Sequence, residues 1–275
     1  MKHIKKVLIK MLHIKMKNKI ILLFLAVFTL TASAQNSIGD RDAALRQMST
    51  KGWEFELKAG LNIGGATPLG LPREIRHISS FDPKLNGTLE GTATKWFGEE
   101  RKWGVAAGVK LEAMRMSTGA RVKNYHTEII QDGDRVAGYY TGYDKTNYSS
   151  TNVTIPITAN YRFNDRWKVR AGMFVTYRLD GEFNGYVSDG YLRNGTPVGE
   201  KVTFNDGSSA NYNFDDDLRR FNWGAEIGGT WNAYRHFFLF GDLNYSFNNI
   251  FKHDFKTVTF TLHPLYFNFG FGYRF

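Results

Sequence analysis

The stretch His263-Pro-Leu-Tyr-Phe-Asn-Phe-Gly-Phe-Gly-Tyr-Arg-Phe275 alternates with a period of two residues. Leu265, Phe267, Phe269, Phe271, Tyr273 and Phe275 share one face of an extended strand, and Tyr266, Asn268, Gly270, Gly272 and Arg274 share the other. One face is wholly apolar or aromatic, and its opposite is small or polar. A soluble sheet could bury such a face against a second layer. Here the aromatic row runs out to the last residue of a chain with a secretory leader, so lipid is the expected solvent for it. A strand crossing a bilayer needs about 9–11 residues alternating between lipid and lumen, and this segment supplies them.

The beginning of the chain agrees. Lys15, Lys17 and Lys19 precede an eleven-residue apolar run over 20–30, and Ala32-Ser33-Ala34 follows before Gln35. This is the pattern of a signal peptide over residues 1–34, cleaved after Ala34, and the run is too short to span about 30 Å of hydrocarbon. Seven of the 36 basic residues and no acid lie in this leader, leaving 29 bases against 26 acids, a net charge of about +3 instead of +10. Nucleic-acid binding thereby loses its only support. The chain has no cysteine, which excludes disulfides, thiolate-held metals and a lipoprotein anchor.

After a polar lead over 35–51, alternation recurs in eight segments within 52–275: 53–63, 84–97, 103–114, 152–163, 167–179, 221–231, 237–247 and the C-terminal stretch. Tight turns over 98–102, 164–166 and 234–236 alternate with longer connections over 64–83, 115–150, 180–218 and 248–261. The fold predicted is all-β: an eight-stranded antiparallel up-and-down transmembrane β-barrel with short periplasmic turns and long extracellular loops. The pairs Asp132-Gly133, Asp189-Gly190, Asn194-Gly195 and Asp206-Gly207 predict hairpins that extend the sheet above the membrane; using one of them as an extra membrane pair would give ten strands. Pro156 cannot donate to a ladder and predicts a lumen-facing bulge.

The same frames assign both faces. Trp53, Trp103, Tyr161, Phe163, Trp167, Trp231, Phe237, Tyr273 and Phe275 fall beside the tight turns as one interfacial girdle, with Tyr177, Phe221, Trp223, Tyr245 and Phe247 as the opposite one. Glu54, Glu56, Lys58, Glu90, Lys110, Glu112, Arg162, Lys168, Arg170, Arg178, Glu226, Asp242 and Arg274 point inward, six acids against seven bases. They predict a network of ion pairs filling the lumen, with Trp96, Phe238 and Phe240 packed against it. His77, His126, His236, His253 and His263 have no metal-ligand spacing, and Asp215-Asp-Asp217 reads as a solvated acidic loop. No catalytic residue, metal or cofactor is expected.

Ile155-Pro156-Ile157 before Tyr161-Arg162-Phe163, then Arg170-Ala171-Gly172, the glycines of 224–229 and the aromatic C-terminus resemble the outer-membrane β-barrel proteins often labelled porin family or PorT-like. The resemblance covers about 52–275. It implies an outer-membrane protein of a Gram-negative bacterium, with membrane lipid and lipopolysaccharide as neighbours and the outer-membrane assembly machinery as partner during insertion. Its motifs are structural and transfer no catalytic role. The function expected is a non-enzymatic barrel with a plugged lumen and loops free for partners; the alternative is a narrow pore or a secretion-associated barrel.

Overall fold

The computed structural model describes Gln47 and residues 49–68, 70–131 and 134–275. The chain divides into two compact units, Met1–Gly52 and Trp53–Phe275. In the first, the described residues form the end of a helical turn in which the Lys51 amide donates to the Gln47 carbonyl at 3.2 Å. The expected signal peptide, most of the lead and the Asp132-Gly133 pair lie outside the described residues.

The second unit is an antiparallel sheet of ten strands: β1 (Trp53–Thr67), β2 (Ile75–Asp82), β3 (Asn86–Phe97), β4 (Trp103–Gln131), β5 (Asp134–Arg162), β6 (Trp167–Asn194), β7 (Lys201–Asn213), β8 (Phe221–Tyr234), β9 (Phe237–Ser246) and β10 (His263–Arg274). Eight of them close a ring, β1-β3-β4-β5-β6-β8-β9-β10 and back to β1. β2 lies against β4, and β7 against β6 and β4, outside that ring. The ring therefore has the eight strands predicted, although the sheet as a whole has ten.

The stagger of the ring fixes its bore. Stepping from partner to partner, Asn86 leads through Asn62, Asn268, Asp242, Gly228, Arg170, Asn160 and Gly104 back to β3 at Trp96, ten residues further along. With about 3.3 Å per residue and about 4.8 Å between strands, that stagger gives a tilt of about 40° and a radius of about 8 Å. Only side chains fit inside. Inward glycines make the room: a β-carbon on Gly272 would lie 2.2 Å from the Phe238 ring, and one on Gly228 would lie 1.7 Å from Asp242 Oδ1. Gly272→Ala is accordingly expected to lower stability by about 1–3 kcal/mol in a denaturant titration. Gly91→Ala, where nothing lies within 4 Å of the added carbon, should leave the midpoint unchanged.

Three sequence expectations are corrected. The connection 64–83 is not all loop, because β2 forms within it, whereas the expected extension of the sheet through 115–150 and 180–218 is there, carried by β4, β5, β6 and β7. Among the described Asx-Gly pairs only Asn194-Gly195 turns the chain, between β6 and β7, with Gly195 at φ +68°. Asp189-Gly190 and Asp206-Gly207 instead sit where the β6–β7 ladder shifts register, so the left-handed conformations of Asp189 and Gly207 accommodate bulges. Pro156 makes no bulge. The β4–β5 register is the same on either side of it, and the ladder merely lacks the rungs between Ala107–Ile157 and Lys110–Thr154. Its ring packs beside Gly108, whose missing side chain leaves space for it.

Beyond the ring, the interior of the extended strands is an apolar core that includes Met116, Tyr125, Tyr148, Phe183, Phe214 and Phe251. The molecule thus has a polar interior in the ring and an apolar one in the cap above it.

Candidate functional site

The ring interior holds the charges. Alternation turns every second residue of each strand inward, and the tilt brings inward residues of distant strands to one level. Near the tight turns, Glu54 accepts from Arg162 at 2.8 Å and Lys168 at 3.2 Å, and lies 3.3 Å from Arg274. Glu56 pairs with Lys168 at 2.6 Å and Arg274 at 3.0 Å. Deeper in, Lys58 donates to Glu90 at 2.8 Å, Lys110 lies 3.5 Å from both Glu112 and Glu226, and Arg170 pairs with Asp242 and lies 3.6 Å from Glu226.

Arg178 is not among them. It is buried above the network near Gly181, and no ion pair joins it to these groups among the described residues. Its absence alters the count: six carboxylates now face six cations, and each of the twelve has an opposite partner. Such mutual pairing is what makes buried charge tolerable, since an isolated buried ion costs several kcal/mol.

Sequence reasoning missed the neutral groups that complete this network. Thr154 donates to Glu112 at 2.6 Å, Thr92 to Glu90 at 2.9 Å, Arg170 to Thr230 at 2.8 Å and Arg274 to Asn232 at 2.9 Å. The available signal for Thr92, Thr154 and Thr230 was their inward register on strands already assigned, whereas Asn232 lies one residue past the assigned 221–231. Rings cover the cations: Arg162 lies 4.2 Å over Trp96, Arg274 5.7 Å over Phe238, and Lys58 and Arg170 5.7 and 5.9 Å from Phe240. The gap left between Glu56, Lys58, Glu90 and Arg170 amounts to about 10 Å³, room for roughly one water. Asp215-Asp-Asp217 is a 3₁₀ turn rather than a freely solvated loop: the Phe183 backbone amide donates to Asp215 at 2.6 Å, and the Asn213 side-chain amide donates to Asp215 at 2.8 Å.

The chain that folds into this closed ring, polar within and apolar without, matches over residues 34–252 the family model described as outer membrane protein beta-barrel domain. The chain belongs to this outer-membrane β-barrel family. Among solved structures it is similar to Ail, the attachment invasion locus protein of Yersinia pestis, in complex with the heparin analogue sucrose octasulfate. That likeness has a TM-score of 0.37 and 11% identity, and it covers 81% of this chain and 99% of that one. Ail without the analogue gives 0.33 and 13%, covering 81% and 97%, and the translocator domain of autotransporter NalP from Neisseria meningitidis gives 0.23 and 11%, covering 89% and 99%. Likenesses this distant say nothing of what the present chain binds. No curated protein matches it.

On this outer-membrane barrel the expected girdle residues form two tiers of outward rings. Beside the tight turns, Trp103 packs on Tyr161 at 4.5 Å between centroids, Tyr161 on Phe163 at 4.9 Å, Trp167 on Trp231 at 6.4 Å and Phe237 on Tyr273 at 5.2 Å. Trp53 and Phe275 complete that tier. The opposite tier, Tyr177 on Phe221 and Trp223 on Phe247 at 5.0 Å each, with Tyr245, is confined to β6, β8, β9 and the residue that follows β9. On β1, β3 and β4 that level carries aliphatic side chains instead.

Proposed function

We propose that the chain is a non-enzymatic outer-membrane barrel whose lumen is plugged by its own charges and whose capped end serves interactions at the cell surface. The observation that carries this reading is the twelve-membered network, six acids against six bases, with space for about one water left beside it. A conduit would need a continuous wet path, and here each charge faces another charge. The signal peptide over 1–34 would deliver the chain, the assembly machinery would insert it, and the tight turns would face the periplasm. The two aromatic tiers would then lie at the membrane interfaces, among lipid and lipopolysaccharide. The lengthened β4, β5 and β6 would stand outside, available to envelope or extracellular partners.

Planar-bilayer recording tests the plug. The purified wild-type barrel should stay electrically silent. Discrete openings in the wild type that grow in Arg170→Ala would favour a narrow pore and count against a plugged lumen.

A further inference from the structure

Above the ring, the sheet is open on one side. β3 begins at Asn86; beyond it β4 is flanked by β2, which pairs with β4 and not with β1. The gap between β2 and the ends of β1 and β10 leads into a cavity of about 540 Å³. Ile78 and Phe81 of β2, Met116 and Val122 of β4, and Phe260 and Leu262 before β10 line it. Leu265 lines the mouth and also belongs to the outward row of β10, so the apolar belt of the ring continues into the cavity. This is the side on which the upper aromatic tier is missing.

One carboxyl interrupts the lining. Asp144 of β5, 7% exposed, stands in the wall opposite Ala120. The Tyr212 hydroxyl donates to it at 2.9 Å and meets Thr146 Oγ1 at 2.7 Å. The titratable groups facing it are Tyr125 on β4, Tyr140 on its own strand and Tyr212 on β7. No cation pairs with it among the described residues. Burial in this wall pushes its pKa up to about 7.

We propose that this cavity binds an amphiphile whose cationic amine pairs with Asp144 and whose hydrocarbon chain leaves through the gap between β1 and β2 toward the bilayer. An ammonium supplies the opposite charge that the buried carboxylate lacks, and the apolar walls take up methylenes that would otherwise meet water. A volume of this size, largely apolar with a few threonines and one charged group, has the character of a small-molecule site. A carboxylate head would be repelled. An alcohol would gain a hydrogen bond without the charge pairing.

Dodecylamine, dodecanol and dodecanoate titrated calorimetrically onto the full barrel in phosphatidylcholine nanodiscs, with empty nanodiscs subtracted, decide the matter. At pH 8.5 one equivalent of the amine should bind, about tenfold or more tighter than the alcohol, with the carboxylate weakest. At pH 5.5 the amine remains cationic while Asp144 is largely protonated, and its affinity should fall at least severalfold. Asp144→Asn should abolish both the amine preference and its pH dependence while dodecanol still binds, and Ala120→Phe should exclude all three. Should either variant not fold, the wild-type order of amine over alcohol over carboxylate at pH 8.5 decides alone. Equal binding of amine and carboxylate, amine affinity indifferent to pH, or uptake equal to that of empty nanodiscs would overturn the proposal.

Discussion

Glu90→Ala is expected to destabilise the barrel by about 3–5 kcal/mol, measured as the shift in an equilibrium denaturant titration in lipid vesicles. Among the described residues Glu90 is the only carboxylate paired with Lys58, at 2.8 Å, and both side chains are nearly inaccessible. Removing it strands an ammonium against Phe240 and leaves the Thr92 hydroxyl without its acceptor. Glu56→Ala should cost less, because Glu54 lies within 3.3 Å of both cations that Glu56 holds, Lys168 and Arg274. Replacing both partners, Lys58→Met with Glu90→Leu, should recover most of the loss, since paired removal leaves no uncompensated charge. Were the double variant as unstable as Glu90→Ala, the two residues would not act as a unit and the network would be an accident of crowding.

How far the chain could be read depended on which solvent surrounds each segment. The ring strands were legible because one row faces lipid throughout, as Val105, Ala107 and Val109 do on β4, while Ala106, Lys110 and Glu112 face inward. Further along the same strand the pattern inverts. Met114, Met116 and Val122 continue the inward row, while Arg115, Arg121 and Lys123 are exposed. The face has not rotated. Its exterior has changed from an apolar belt to a charged surface, so its interior changes from charged to apolar, and a reading keyed to an outward apolar row loses the strand there. Arg178 falls outside the network because it stands where β6 leaves the charged ring for the apolar cap, beside a register shift after which Phe183 and Val187 take up the inward row. β2 was illegible in principle: Ile75-Arg-His-Ile-Ser-Ser-Phe-Asp82 is exposed on both faces apart from its first residue, so it carries no period-two signal. The ion pairs follow from the register and the ten-residue stagger, which single strands do not reveal.

The sharpest test of the solvent itself is Ile227→Arg. Ile227 stands outward on β8, midway between Trp223 and Trp231, flanked by Ala171 of β6 and Leu243 of β9, and 62% of its surface is open. Its neighbour in sequence, Glu226, is 2% exposed and paired with Lys110. For a soluble protein, arginine at so open a position would be neutral or would aid solubility, since exposed surface substitutions usually fall within about 0.5 kcal/mol. At the middle of a hydrocarbon layer it should cost about 2–4 kcal/mol. Tyr234→Arg, on the same strand beside the tight turn, should cost only about 0–1 kcal/mol, because the penalty declines toward the interface. Guanidinium titrations of barrels folded into phosphatidylcholine vesicles, followed by tryptophan fluorescence, would measure both. A steep gradient between the two positions requires a bilayer whose midplane lies at Ile227. Equal, small effects would mean that water, or another protein, covers the outward row, and lipid as the solvent of that row, inferred from the last strand, would have to be given up.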